Sequence, residues 1–256
     1  MAEPKPSQTA FWLLNLAINV ELQPLTLLIA ETLGKKLPGY SVEQLSDLGE
    51  DQLEAVSAWL EQEREKQKEE GIEPTFQLSY EAGTPYFRKI PSDASKFLGA
   101  LYAISDAQFV DFCVSLLKAL GGDALNIDGP YDGGLDFVAR NLPLSGLNVD
   151  ALRRTRILVV GQAKHYQKET LVSEPELRDF VGGALKRTSD PTDSVTHRIT
   201  TLAPLVFAFW TTSDFNSPAK SYAKAVGVWT LNGIALSQLA LKANFNLDAA
   251  NKIVTP

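Results

Sequence analysis

Apolar residues recur at helical spacing through the first third of the chain, and short alternating runs separated by helical stretches replace them afterwards. The early spacing predicts helices over residues 9–22, 25–33 and 41–70, with Gly34 and the "LPGY" of residues 37–40 dividing the second from the third. In the third, Ser41 and Gln44 have capping-box spacing, and Leu53, Val56 and Leu60 fall on one stripe. Its last turns, "EQEREKQKEEG", read as a solvated helix end stopped at Gly71. Two β-forming stretches then flank "EAGTP" and predict a hairpin over residues 76–90.

Three helices followed by a hairpin is the element order of a winged helix, and the resemblance is topological only. A boundary is expected near residue 93, in "KIPSDASKFLGA". Beyond it, Ser105 and Gln108 again have capping-box spacing, and Phe109, Cys113, Leu116, Leu117 and Leu120 form one apolar stripe that ends at two glycines, so Cys113 reads as packing. From residue 135 onward the chain alternates "LDFVAR", "RILVVGQAKHY", "EPELRDFVGGALK", "PLVFAFWTT", "SPAKSYAKAVG", "VWTLNG" and "IALSQLALKAN". Such alternation predicts an α/β domain, a mixed central sheet flanked by helices, over residues 94–256. Residues 1–93 form a smaller, mainly helical domain with a β-hairpin.

Charge sharpens that division. The chain carries 24 basic and 31 acidic residues, and residues 1–94 hold 8 of the basic and 16 of the acidic ones. The acidity therefore sits in the first domain, while the second is balanced. A winged helix that reads DNA should offer Arg or Lys from its third helix, whereas this one is dominated by Glu, so a partner-binding role stands ahead of DNA binding for residues 1–93. The single cysteine, Cys113, excludes an internal disulfide framework and a multi-cysteine zinc site, and it fits a reducing compartment. The polar "MAEPKPSQTA" and the interruption of the next apolar run by Asn15, Asn19 and Glu21 leave neither a secretory signal nor a membrane span, so a cytoplasmic location is expected.

The candidate chemistry begins with "GPYDGGLDFVAR", residues 129–140. Asp136 stands at the start of a strand, where aspartate is disfavoured and an isolated carboxylate is costly to bury. In "LVVGQAKHY", Gln162 and Lys164 are two residues apart and leave the same face of a strand. If the two strands pair, a carboxylate, an amide oxygen and an ammonium converge, a set able to hold a hard cation such as Mg²⁺ beside a phosphate. Lys164 would orient or deprotonate an attacking water and offset charge on the phosphoryl oxygens. Strand-end solvation and a surface ion pair explain the same three residues as simply.

The words and their order add to this. "DGGLD" at 132–136, then "GQAK" at 161–164, resembles the Mrr-like restriction endonucleases, a branch of the PD-(D/E)xK nucleases in which glutamine replaces the usual second acid. "FVDFCVSLLKALGG" resembles that family's first core helix, "LRDFVGGAL" the helix after the catalytic strand, and the stretch from "FAFWTT" to "ALSQL" its closing strand-helix-strand-helix unit. The resemblance covers residues 95–245. It implies a restriction-endonuclease-like fold and a Mg²⁺-dependent DNA endonuclease, with Mn²⁺ as a substitute metal, acting in restriction or anti-phage defence, most simply as a homodimer or larger assembly. It makes Asp136, Gln162 and the Ala163 carbonyl the metal side and Lys164 the catalytic lysine.

Asp132 matches the first acid of the glycine turn, in a supporting role or simply as a turn-terminating residue, and Gly133 and Gly134 serve to place Asp136. The family's helix glutamate is replaced by Val110, and the nearest acid, Asp111, is either a supporting group or an exposed one. The long connection over residues 186–203 is either a DNA-contacting loop, through Lys186, Arg187 and Arg198, or an exposed insertion. Two other functions fit the same residues: a nuclease effector activated by a partner or ligand through residues 1–93, or a catalytically weak nucleic-acid-binding or assembly protein.

Overall fold

The structure is a computed structural model that describes residues 3–15, 21–69, 74–127, 134–143, 156–168, 170–189 and 204–256. The chain divides into two compact units, Met1–Ser95 and Lys96–Pro256.

In the first unit, helix α1 (Pro6–Asn15), the short strand β1 (Gln23–Pro24), helices α2 (Leu25–Lys36) and α3 (Val42–Glu69), and strands β2 (Phe76–Glu81) and β3 (Thr84–Lys89) follow one another. The expected capping box starts α3: the Ser41 N–H donates to Gln44 Oε1 at 2.9 Å and the Gln44 N–H to Ser41 Oγ at 3.2 Å. The hairpin turns through Ala82 and Gly83, both at positive φ, as a two-residue connection between right-twisted strands requires. Strand β1 pairs with β3, giving the antiparallel order β1-β3-β2. Leu13, Leu25, Ile29, Val56, Leu60 and Phe87 are fully buried in its core.

The second unit has the fold class expected from the sequence, a mixed sheet between helical layers. Helix α4 (Ser92–Ala103) runs into it and α5 (Asp106–Ala119) follows; then come β4 (Asp123–Asn126), β5 (Phe137–Pro143), β6 (Arg156–Lys164), α6 (Glu174–Thr188), β7 (Leu205–Thr211), α7 (Ser217–Val226), β8 (Trp229–Leu231), α8 (Gly233–Lys242) and the small pair β9 (Asn246–Leu247) and β10 (Ile253–Val254). The sheet order is β4-β5-β6-β7-β8, antiparallel up to β6 and parallel from β6 to β8.

Side-chain alternation gives the sheet two apolar faces. Phe137, Ala139, Ile157, Val159, Ala208 and Trp210 pack with Phe109, Cys113 and Leu117 of α5 and Leu236 of α8. Val138, Leu158, Val160 and Phe209 pack on the other side with Leu177 and Phe180 of α6 and Ala219 and Ala223 of α7. Gly161 is set by close approach: a Cβ there would lie 2.3 Å from the Phe137 ring and 2.8 Å from the Ala208 carbonyl oxygen. No described helix is long and apolar enough to cross a membrane.

Candidate active site

The expected strand pairing brings Asp136 to Gln162 and Lys164. Asp136 directly precedes β5, and its backbone is held on both sides: its N–H donates to the Gly161 carbonyl at 2.9 Å, and its carbonyl accepts the Ile127 N–H at 3.0 Å. Strand β5 begins opposite Gly161, so its ladder does not reach Ala163. The Asp136 carboxylate takes that place, with Oδ2 accepting the Ala163 N–H at 2.7 Å. An ionised acceptor strengthens such a bond and offsets the desolvation of a half-buried carboxylate. Each carboxylate oxygen has two lone pairs, so this bond aims the group without exhausting its capacity for a cation.

Ala163 packs towards the α5 layer and Val160 towards the α6 layer, so alternation turns Gln162 and Lys164 together to the α6 side, both half-buried. Gly134 lies against the first of this pair. Gly134 has φ +78°, and a Cβ on it would stand 3.1 Å from Gln162 Nε2. The Asp136 charge is also felt beneath the sheet: burial pushes the Cys113 thiol well up and the Asp136 carboxylate pushes it further, which keeps Cys113 a neutral core residue.

Two residues of this region escaped the sequence reading. Glu176, in the first turn of α6, accepts the Tyr166 hydroxyl at Oε1 (2.6 Å) and the N–H and hydroxyl of Ser173 at Oε2 (2.8 and 2.7 Å). Burial would raise the Glu176 carboxyl, but the bonds from Tyr166 and Ser173 and the nearby Lys164 ammonium outweigh it and hold the group below its ordinary range. Burial and the same carboxylate push the Tyr166 hydroxyl up to about 12, so Tyr166 is the donor. The "SEPE" of residues 173–176 carried the capping-box spacing that marks Glu176; nothing in the sequence linked it to Tyr166.

The remaining candidates are not gathered here. Asp111 is exposed and lines a cavity of about 980 Å³ with Lys96, Phe112 and Lys252 on the α4–α5 side, away from the face that carries Gln162 and Lys164, so the geometry gives it no supporting role at this site. Lys186 and Arg187 are not loop residues: α6 continues to Thr188 and places them in its last turn, where cations complement the helix dipole, about 15 Å along the axis from Glu176. Asp132, Gly133 and Arg198 lie outside the described residues. His165 points away from Lys164, as strand alternation requires, into the α4–α5 layer, with ring nitrogens 2.9 Å from the Leu101 carbonyl oxygen and 3.1 Å from Asp106 Oδ1.

Residues 101–201 match the Mrr catalytic-domain family model, described as a restriction endonuclease. No curated protein matches the chain. Among solved structures, the chain is similar to the MspJI restriction endonuclease in complex with a 27-mer oligonucleotide, at 19% identity and a TM-score of 0.38 over 59% of this chain and 32% of that one. It is also similar to the DNA modification-dependent restriction endonuclease AspBHI, at 12% identity and a TM-score of 0.36 over 66% and 56% of the two chains. The chain thus spans about a third of the first and just over half of the second. The matched stretch includes Asp136, Gln162, Ala163 and Lys164.

Proposed function

We propose that the second unit hydrolyses phosphodiester bonds of DNA with the help of a divalent cation, Mg²⁺ or in its place Mn²⁺. The observation that carries this is the fixing of the Asp136 carboxylate on Ala163, between the two β6 residues that present an amide and an ammonium to one face. The donor set suits the cation. Asp136, the Gln162 amide oxygen and the Ala163 carbonyl are all hard oxygen donors. A cation bound there would polarise the phosphate and acidify water.

Asp136 and Gln162 would orient the phosphate's surroundings. Lys164 would align the attacking water and screen charge gathering on the phosphoryl oxygens. The water oxygen forms the new bond to phosphorus, the bond to the leaving ester oxygen breaks, and a proton passes to that oxygen. Cleavage of both strands asks for two such sites, hence a homodimer or larger assembly, and the likeness to restriction endonucleases favours a role in restriction or anti-phage defence inside the cell. Helix α3 carries nine acidic residues against three basic ones, which favours a protein partner over DNA as the ligand of the first unit and makes a partner-gated effector the second reading.

Incubating supercoiled, linear and methylated DNA with Mg²⁺ or Mn²⁺ tests the proposal. Metal-dependent cutting, abolished by chelation, is expected. Intact DNA across the whole panel would overturn it in favour of the binding or assembly role.

A further inference from the structure

Glu176 does more than cap a helix. A capping-box glutamate needs one oxygen for its N-cap residue, and Oε2 meets that need at Ser173. Oε1 is directed out of the helix to the Tyr166 hydroxyl, two residues beyond Lys164. Tyr166 is then gripped a second time: its N–H donates to Thr212 Oγ1 at 2.8 Å, and Thr212 Oγ1 donates to its carbonyl at 2.6 Å. Thr212 is fully buried just past the end of β7, and its own N–H donates to the Lys164 carbonyl at 3.2 Å. The exit of β6 is therefore tied to the start of α6 and the end of β7 by groups that touch neither Asp136 nor Gln162 in the bonds described.

We propose that Glu176 is a positioning residue for cleavage: its carboxylate, holding the Tyr166 hydroxyl, fixes the segment after Lys164 and thereby the placement of the Lys164 ammonium on the α6 face. The role rests on the phosphodiesterase function proposed above. The ammonium is near enough for its charge to act on the Glu176 carboxyl, which agrees with a shared location on that face. Partners that orient a functional group from behind characteristically cost 10- to 100-fold in activity when removed.

Glu176→Gln keeps the capping box through its amide oxygen and offers the Tyr166 hydroxyl an amide nitrogen in place of a charged acceptor, whereas Tyr166→Phe removes the bond altogether. Steady-state cleavage with Mg²⁺ should show kcat lowered about 10- to 100-fold, with the KM for DNA and the melting temperature close to wild type. Tyr166→Phe should move kcat the same way, and it carries the test if Glu176→Gln does not fold. Wild-type kcat in the folded variants would overturn the proposal while leaving the nuclease function standing, as would an activity loss that only follows the fraction of unfolded protein. No cleavage by the wild-type chain would overturn the nuclease function and this role with it.

Discussion

Strand β6 shows two different surfaces from one backbone. Towards α5, Ala163 is partly buried against the core and His165 is enclosed, its side chain 7% exposed, with a partner on each ring nitrogen. Towards α6, Gln162 and Lys164 stay half-buried beside a glycine turn and a carboxylate. The contrast shows how a fold can stabilise a strand end with one set of alternate residues while leaving the other set polar and poised. It also separates two neighbouring residues: His165 is held by bonds within the fold, and Lys164 faces the proposed site.

Breaking the polar face should have the largest effect. Lys164→Ala and Asp136→Ala should each lower the cleavage rate about 10³-fold, with melting temperatures that show the unit still folded, because each removes a group to which the proposed reaction gives a part. Substituting Gly161, which lets the strand lie against Phe137, should damage both faces at once. Gly161→Ala is expected to cost about 1–3 kcal/mol in urea unfolding, since its Cβ must displace a buried ring and a neighbouring backbone.

His165→Ala should reverse the Lys164 result. Loss of its bonds to Leu101 and Asp106 should lower stability by about 1–2 kcal/mol in the same unfolding measurement, while cleavage per folded molecule stays within a few-fold of wild type.

The smallest effect is a titration. Tyr166, raised to about 12, should ionise late among the tyrosines; because its folded value lies above its unfolded one, the stability it contributes is full below pH 10 and lost as pH rises towards 12. The sign reverses for Glu176, whose lowered carboxyl contributes stability above the ordinary carboxylate range and loses it as pH falls below that range. Absorbance titration of the tyrosinates should show one late-titrating group fewer in Tyr166→Phe, with Tyr80, raised to about 12 by burial and by Glu61, left unchanged.

Much of the candidate site was legible because it lies in short words: "DGGLD" put Asp136 at the head of one strand, "GQAK" put Gln162 and Lys164 on another, and alternation alone turned His165 away. Elements too short for a period were not legible. Strand β1 has two residues and β4 four, and each exists through its pairing, β1 with the distant β3 and β4 with the β5 that follows it. The segment "KIPSDASKFLGA" read as a boundary near residue 93, and the two compact units divide after Ser95; that it also opens α4, whose Phe97 and Leu101 are fully buried, was not read, because a proline just ahead of a serine marks a helix start as readily as a break. Lys186 and Arg187 were assigned to a connection because the polar run begins beside them, whereas the Thr188 hydroxyl, bonded to the Ala184 carbonyl at 2.8 Å, belongs to one more helical turn. Glu176 carried a readable cap, but its bond to Tyr166 depends on how a loop brings α6 back to β6.

The most direct test of the site is Mn²⁺ binding, followed by electron paramagnetic resonance of the free ion, in the wild-type chain, Asp136→Ala and Lys164→Ala. Wild type and Lys164→Ala should both take up Mn²⁺, and Asp136→Ala should take up little, which would separate holding the cation from using it. Uptake by Asp136→Ala equal to wild type, or no uptake by the wild-type chain, would contradict the assignment of Asp136 as the anchor of the metal side.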